Sequence, residues 1–500
     1  MATTITTDAL NALLYIYNGY EDSRWNFVDA VGTPVGNPGG LGNGVSLTYS
    51  FLSSRPAWAT NSEVSFGVMD AAMKAATVKV LGHISEVANI DFTKVAAQQG
   101  QITFATSDQG MGSSAWAYGP FFQQTTSGGE FTAITEVKLA GSVWVNNDIE
   151  WFTSDWRPGE FGYAMLLHEM GHALGLKHPF DGDDFGGGFI LDEALDHEGN
   201  TVMSYTSAPR TLLMVDAGSS WSFPTLHPTT LMMMDIAALQ HLYGANFDHE
   251  SGKTVYEWGT NEELLETIWD GGGVDLIDCS NQTFTCRIDL RDGQFSSIGL
   301  RLTEAEIKLG LDLPADMSLG FVDPELRDNL YNGENNLGIA KGAIIENATG
   351  GSGSDVITGN DVANRLAGGL GNDRLTGNAG ADRLDGGRGV DNMNGGAGKD
   401  LFDFNKVTDT GTMLAKSDVI SGFVSGMDRI DLSTIDANTA LAGNQAFTFI
   451  GAEAFSAANA TGQVRFHNGV LYGSTDADTA VEFMVRLTGV ATLTAADLLL

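Results

Sequence analysis

The sequence predicts two units in tandem: an α+β domain over residues 1–245 and an all-β domain wound as a parallel β-roll over 246–500. Three observations carry this. The 500 residues exceed what one hydrophobic core usually serves. Most histidines and tryptophans fall before about residue 245, after which glycines and aspartates separated by short apolar pairs dominate. A nine-residue period then runs without slipping through residues 350–403.

Composition narrows the function classes. With 43% hydrophobic and 18% charged residues, the chain can bury a core. Its 26 Lys and Arg against 63 Asp and Glu leave a formal net charge of −37, which repels phosphate backbones and anionic lipid and attracts cations. Nucleic acid is therefore not an expected partner. No apolar run reaches the roughly 18 residues of a membrane span, so no membrane insertion is expected. Leu10–Tyr17 is apolar, but Asp8 precedes it, no Lys or Arg does, and no clear small-residue cleavage site follows, which argues against a signal peptide. Cys279 and Cys286 have no metal-site spacing, and a local disulfide and two free thiols are both open.

In the first unit, alternation predicts strands at Val45–Phe51 and Gln101–Ala105. Glu63–Ile84 reads as an amphipathic helix with Val64, Val68, Ala72, Ala75 and Val78 near one face. Residues 161–179 read FGYAMLLHEMGHALGLKHP. His168 and His172 are four apart, hence on one helix face and able to grip one metal, with Glu169 beside them. Gly175 can end the helix in a left-handed conformation, so that the chain reverses and His178 reaches the same ion. Three neutral imidazoles suit zinc, and three protein ligands leave a position for water, the mark of a catalytic site. The HExxH core alone recurs in unrelated helices; the added glycine and third histidine make the pattern specific.

In the second unit, six nonapeptides follow one another from residue 350: GGSGSDVIT, GNDVANRLA, GGLGNDRLT, GNAGADRLD, GGRGVDNMN and GGAGKDLFD. Each is expected to turn over its first six residues and form a short strand over its last three, with the eighth side chain (Ile357, Leu366, Leu375, Leu384, Met393, Phe402) pointing inward. Successive units turn on opposite sides, so turns 18 residues apart stack. Glycine carbonyls and the sixth-position carboxylates would then share Ca²⁺, a hard ion that takes six to eight oxygens. The candidate ligands are Gly351, Gly353, Asp355, Asn360, Asn364, Gly368, Gly369, Gly371, Asp373, Gly377, Gly380, Asp382, Gly386, Gly387, Gly389, Asp391, Gly395 and Asp400. Folding of the roll should depend on the ion, because a site absent from the unfolded chain turns binding energy into folding energy.

Met203 and Tyr205, in TVMSYT at 201–206, stand after HExxHxxGxxH where metzincins carry their Met-turn. On these residues the chain resembles the serralysins, secreted bacterial metzincin endopeptidases joined to a repeat-in-toxin calcium-binding β-roll. The likeness extends to LTYSF at 47–51, SVWVN at 142–146, LYGAN at 242–246, WDGGGVD at 269–275 and IENATGGSGSD at 345–355. It implies an α+β metzincin domain, with a short N-terminal propeptide compatible with residues 1–245, followed by the all-β roll. It further implies zinc on His168, His172 and His178, Glu169 as general base, Tyr205 as a switchable ligand that turns to the oxyanion, and Met203 as the floor under the metal. Val143–Asn146 resembles the family's edge strand, on which an extended peptide would pair with broad specificity. Asp270, Gly272, Gly273 and Asp275, with carbonyls at Glu250, Gly252 and Thr254, resemble a further calcium site; Lys253 stands where the family commonly has Asp. Glu346 matches another calcium ligand, beside Ile344 in place of a usual threonine. Asp497–Leu500 resembles the C-terminal signal read by type I secretion machinery. The resemblance thus implies a secreted, extracellular monomer acting on protein or peptide substrates, with a proteinaceous inhibitor as a further partner. Two rivals are a calcium-loaded adhesin with an inactive protease half, which has no need of Glu169, and an astacin-like metzincin, which usually has a signal peptide and disulfides.

Overall fold

The computed structural model describes residues 6–15, 23–27, 40–59, 65–127, 130–147, 155–182 and 188–500. In the first unit a five-stranded sheet runs in the order Ile90–Lys94, Val45–Phe51, Ile102–Ser107, Ser142–Asn146, Ala115–Ala117. Its first four strands are parallel and the last is antiparallel. The helices Ala71–Val87 and Phe161–Ala173 pack against the sheet and each other, and Met233–Tyr243 packs against Ala71–Val87.

The strand at Val45–Phe51 forms as predicted, and Gln101–Ala105 is realised as Ile102–Ser107. The first helix differs from expectation. It begins at Ala71, where the Asp70 carboxylate accepts from the Met73 N–H at 2.8 Å and caps it. Of the expected beginning, residues 63 and 64 lie outside the described residues, and Val68 precedes the helix and is exposed. The expected face is also the wrong one: Ala72, Ala75 and Val78 face solvent, while Ala76, Val80 and Ile84 form the buried i, i+4, i+8 stripe, joined by Leu81 and Val87. Of the apolar stretch at Leu10–Tyr17, residues 16 and 17 lie outside the described residues, while Leu13 and Leu14 are buried.

A second correction concerns Ser142–Asn146. This strand is buried along its whole length, because Ala115–Ala117 covers its free side, pairing Trp116 with Trp144. The edge of the sheet is therefore Ala115–Ala117.

In the second unit the nonapeptides alternate between two sheets, one of eight strands and one of twelve. Register advances by 18 residues on each side: Val356 pairs with Arg374 and Arg374 with Asn392 on one, Arg365 with Arg383 and Arg383 with Leu401 on the other. All six eighth-position side chains are at most 1% exposed, as predicted. A Cβ at Gly371 would overlap the Gly353 carbonyl oxygen, and one at Gly389 the Gly371 carbonyl oxygen, so the stack of turns requires glycine there. The roll is sealed at its far end, where Leu498–Leu499 pairs with Arg429–Asp431. The buried Asp497 carboxylate accepts from the Gly426 N–H at 2.6 Å, the Thr494 N–H at 2.7 Å and the Ser425 hydroxyl at 2.9 Å. Cys279 and Cys286 are buried free thiols; their mutual hydrogen bond, followed by burial, pushes the Cys279 thiol well up. No described helix is long and apolar enough to cross a membrane.

Candidate active site

The helix Phe161–Ala173 is buried on nearly every side, and its sequence explains how. Gly162 and Gly171 admit neighbours too close for a side chain: a Cβ at Gly171 would overlap the Met203 sulfur, so the fully buried Met203 packs directly beneath the helix. Just past the helix end at Ala173, Gly175 takes a φ of 102° and the Leu176 N–H returns to the Gly171 carbonyl at 2.9 Å. That reversal brings His178 back beside His168 and His172.

The three rings meet through their Nε2 atoms, His178 lying 3.3 Å from His168 and 3.1 Å from His172. Each Nδ1 is engaged by an acceptor: the Val202 carbonyl for His168 at 2.7 Å, the Leu176 carbonyl for His172 at 2.8 Å, and the Asp181 carboxylate for His178 at 2.9 Å. Carbonyls and carboxylates only accept, so each Nδ1 carries the proton and each neutral ring presents a bare Nε2 lone pair. Burial first, then the neighbouring rings, holds His168 well below the usual imidazole range; burial likewise takes His172 down to about 4 and lowers His178. Three lone pairs converging on one point repel unless a cation lies between them. Tetrahedral zinc with Zn–N of about 2.0–2.1 Å would separate its nitrogens by about 3.3 Å, so the residues fit that metal.

Glu169 is buried beside the cluster, and burial raises its carboxyl to about 8. Its Oε2 is buried with no hydrogen-bond partner. Tyr205 is 71% exposed, and its ring stacks on His168 at 5.5 Å and tilts against His178 at 4.6 Å and Phe180 at 5.1 Å. A cleft of about 450 Å³ opens here, lined by Ser114 and Ala115 from the sheet edge and by Met165, His168, Glu169 and Tyr205.

Sequence reasoning missed the groups that orient the three histidines. Asp181 was legible in principle, three residues after His178. Asp235 was not: from the helix Met233–Tyr243 it accepts from the Thr201 hydroxyl at 2.6 Å and the N–H groups of Val202 at 2.8 Å and Met232 at 3.0 Å. It thereby fixes the segment whose Val202 carbonyl orients His168.

The calcium candidates also assemble. Asp355, Asp373 and Asp391 form one ladder, in which the N–H of each meets Oδ1 of the carboxylate one coil on, Asp391 meeting Asp418, all at 2.8 Å. Asn364, Asp382 and Asp400 form the other, ending on Asp428, at 2.8, 3.1 and 3.0 Å. The second oxygens of Asp373, Asp382, Asp391, Asp400 and Asp418 are buried without partners, as suits a cation-binding turn. Burial raises Asp373 and Asp418 to about 8 and Asp382 and Asp391 to about 6. Gly368, Gly377, Gly386 and Gly395 leave room for the carboxylates of Asp373, Asp382, Asp391 and Asp400, while Gly369 and Gly387 stack over the carbonyls of Gly351 and Gly369, and Gly380 over that of Val362. Asn360 and Asn364 stand differently. Their amide N–H groups donate to the carbonyls of Leu290, Ile345 and Glu346 at 3.2, 2.8 and 2.9 Å, where a cation would otherwise draw on those oxygens.

Ahead of the repeats, Asp275 Oδ1 accepts from the Thr254 N–H at 2.7 Å, while its Oδ2 is buried without a partner. Asp270 accepts from the Gly272 N–H and the Tyr256 hydroxyl, each at 2.7 Å. Thr254 donates to Glu250 at 2.9 Å, the Asp275 N–H donates to Glu346 at 2.8 Å, and Gly273 stacks on the Gly252 carbonyl.

Two family models match the chain, Matrixin over residues 46–185 and Peptidase M10 serralysin C terminal over 233–310 and 331–500. Metallopeptidase AprA of Pseudomonas marginalis is 32% identical over 339 residues, 63% of this chain, and the match spans only 60% of that relative's length. Serralysin C of Dickeya chrysanthemi is 32% identical over 477 residues, covering 91% of this chain and 85% of its own. A serralysin of Proteus mirabilis is 34% identical over 442 residues, covering 84% and 78%. With a serralysin 32% identical matched across nine-tenths of this chain, and with the Matrixin and serralysin C-terminal models matching its two parts, the chain belongs to the serralysin family.

Proposed function

We propose that this chain is a secreted, zinc-dependent metalloendopeptidase, its domains dividing near residue 245, its roll stabilised by calcium. The observation that carries the reading is the meeting of three bare Nε2 lone pairs beside a buried glutamate whose Oε2 has no partner. His168, His172 and His178 would hold the zinc, which when bound polarises the scissile carbonyl and lowers the pKa of water to about 7. Glu169 takes the proton of the attacking water at its free oxygen and passes it to the leaving amine. Hydrolysis is direct, by the activated water, with no acyl-enzyme formed. Tyr205, held at the cleft mouth by its ring contacts, turns its hydroxyl to the oxyanion. The exposed side of Ala115–Ala117, not Val143–Asn146, pairs with an extended substrate through backbone groups, a mode that tolerates many sequences. The substrates are extracellular proteins and peptides. Type I export would read the C-terminal residues before the roll buries Asp497 and Leu498, and a proteinaceous inhibitor would compete at the same cleft.

Casein hydrolysis by the wild type and by Glu169→Ala, with and without chelator, tests this. The wild type should be active and chelator-sensitive, and the variant slower by about 100-fold or more. Equal activity in the two proteins would refute the glutamate-base mechanism.

A further inference from the structure

The cleft beside the histidines contains a pair of side chains that hydrolysis itself does not use. Glu198 and His227 line it with Phe161, Met165 and Glu169. His227 Nδ1 lies 3.1 Å from Oε1 and 3.0 Å from Oε2 of Glu198. A carboxylate only accepts, so the imidazole carries the proton at Nδ1 and divides it between both oxygens. Both residues are tied down through their backbones, the Glu198 N–H to the Thr206 carbonyl at 2.8 Å and the His227 N–H to the Gly159 carbonyl at 2.9 Å. The His227 ring also meets Phe161 edge-on at 5.5 Å. The two side chains are shielded, at 15% and 13% exposure for Glu198 and His227.

A carboxylate offers about four acceptor positions, and a single shared imidazole proton leaves most of them free. Among the described residues that line the cleft there is no Lys or Arg to take them up. A fixed, largely shielded carboxylate with spare acceptor capacity attracts a cationic side chain more strongly than it would in open water. The cleft, at about 450 Å³, has room for a long one.

We propose that Glu198, positioned by His227, selects substrates carrying Lys or Arg at a position flanking the scissile bond, the cationic head entering this cleft. This rests on the peptidase reading above and adds a side-chain preference to a backbone-driven mode of binding.

The test is a series of quenched fluorogenic peptides that differ only in Lys, Arg, Leu or Glu at each position flanking the cleaved bond. They are offered to the full-length, zinc- and calcium-loaded protein and to its Glu198→Gln variant. Ratios of kcat/KM between peptides cancel the fraction of active protein. The wild type should favour Lys and Arg over Leu by about 10- to 100-fold at one position, the range a charge-assisted hydrogen bond supplies. In Glu198→Gln that ratio should fall at least tenfold, as about one such bond is lost. A wild-type ratio near one or favouring Leu or Glu at both positions overturns the proposal, and so does a basic preference that survives in Glu198→Gln. Should the variant fail to fold, the wild-type ratio decides alone. Cleavage without preference sinks only this subsite; cleavage of neither the peptides nor casein sinks the peptidase reading and the subsite with it.

Discussion

Calcium removal is the perturbation to which the second unit should respond most. In each ladder one carboxylate oxygen already accepts a backbone N–H from the neighbouring coil, so the turn geometry is set by hydrogen bonds. The other oxygen, at Asp373, Asp382, Asp391, Asp400 and Asp418, is buried and has no partner. An unsatisfied buried acceptor costs about 1–3 kcal/mol. Over these five the deficit is on the order of 5–15 kcal/mol without the ion, as large as the net stability of an ordinary domain. The roll should therefore not stay closed in EGTA. Far-UV circular dichroism should lose much of its β signal on chelation and regain it when calcium is restored, and trypsin should cut within residues 350–430 only in the chelated sample. An unchanged spectrum and an unchanged digestion pattern would refute this reasoning.

Asp235→Asn removes one of two oxygens that fix Thr201, Val202 and Met232, and should cost about 1–3 kcal/mol below about pH 4. Burial lifts Asp235 to about 6, well above the ordinary aspartate range, so the fold prefers its protonated form. Its contribution to stability is full below about pH 4 and is lost as pH rises through 6, by up to about 3 kcal/mol. Denaturant melts of both proteins should show the wild type's advantage shrinking over that window; an advantage that grows with pH contradicts the assignment. Tyr205→Phe keeps the ring contacts and removes only the hydroxyl. It should lower kcat about 10- to 1,000-fold with zinc content and KM little changed, and an unchanged kcat would exclude the oxyanion role.

Where the sequence was informative, its signals were local and periodic. HExxHxxGxxH brings three histidines together by one helix and one glycine, and the nonapeptides place Ile357 through Phe402 by an 18-residue coil, so neither depends on distant contacts. What was illegible depends on partners far along the chain. Ser142–Asn146 is an interior strand only because Ala115–Ala117 folds back over it. The helix expected from Glu63 starts at Ala71 because the Asp70 side chain captures the Met73 N–H, and its buried stripe follows the packing surface rather than the apolar count. Asp235 and Val202 meet across 33 residues, and Glu198 and His227 across 29, without any motif to announce them. Asn360 and Asn364 occupy repeat positions, yet their donors change what those positions can bind, a distinction of side-chain chemistry that periodicity does not register.

The most direct measurement is X-ray absorption at the zinc edge on purified full-length protein, paired with metal analysis and repeated on His178→Ala. One zinc per chain, with a first shell that includes three imidazole nitrogens at about 2.0–2.1 Å in the wild type and two in the variant, is the expected result. Zinc bound only through oxygen or sulfur, an unchanged shell in His178→Ala, or no retained zinc at all would show that His168, His172 and His178 do not form the metal centre.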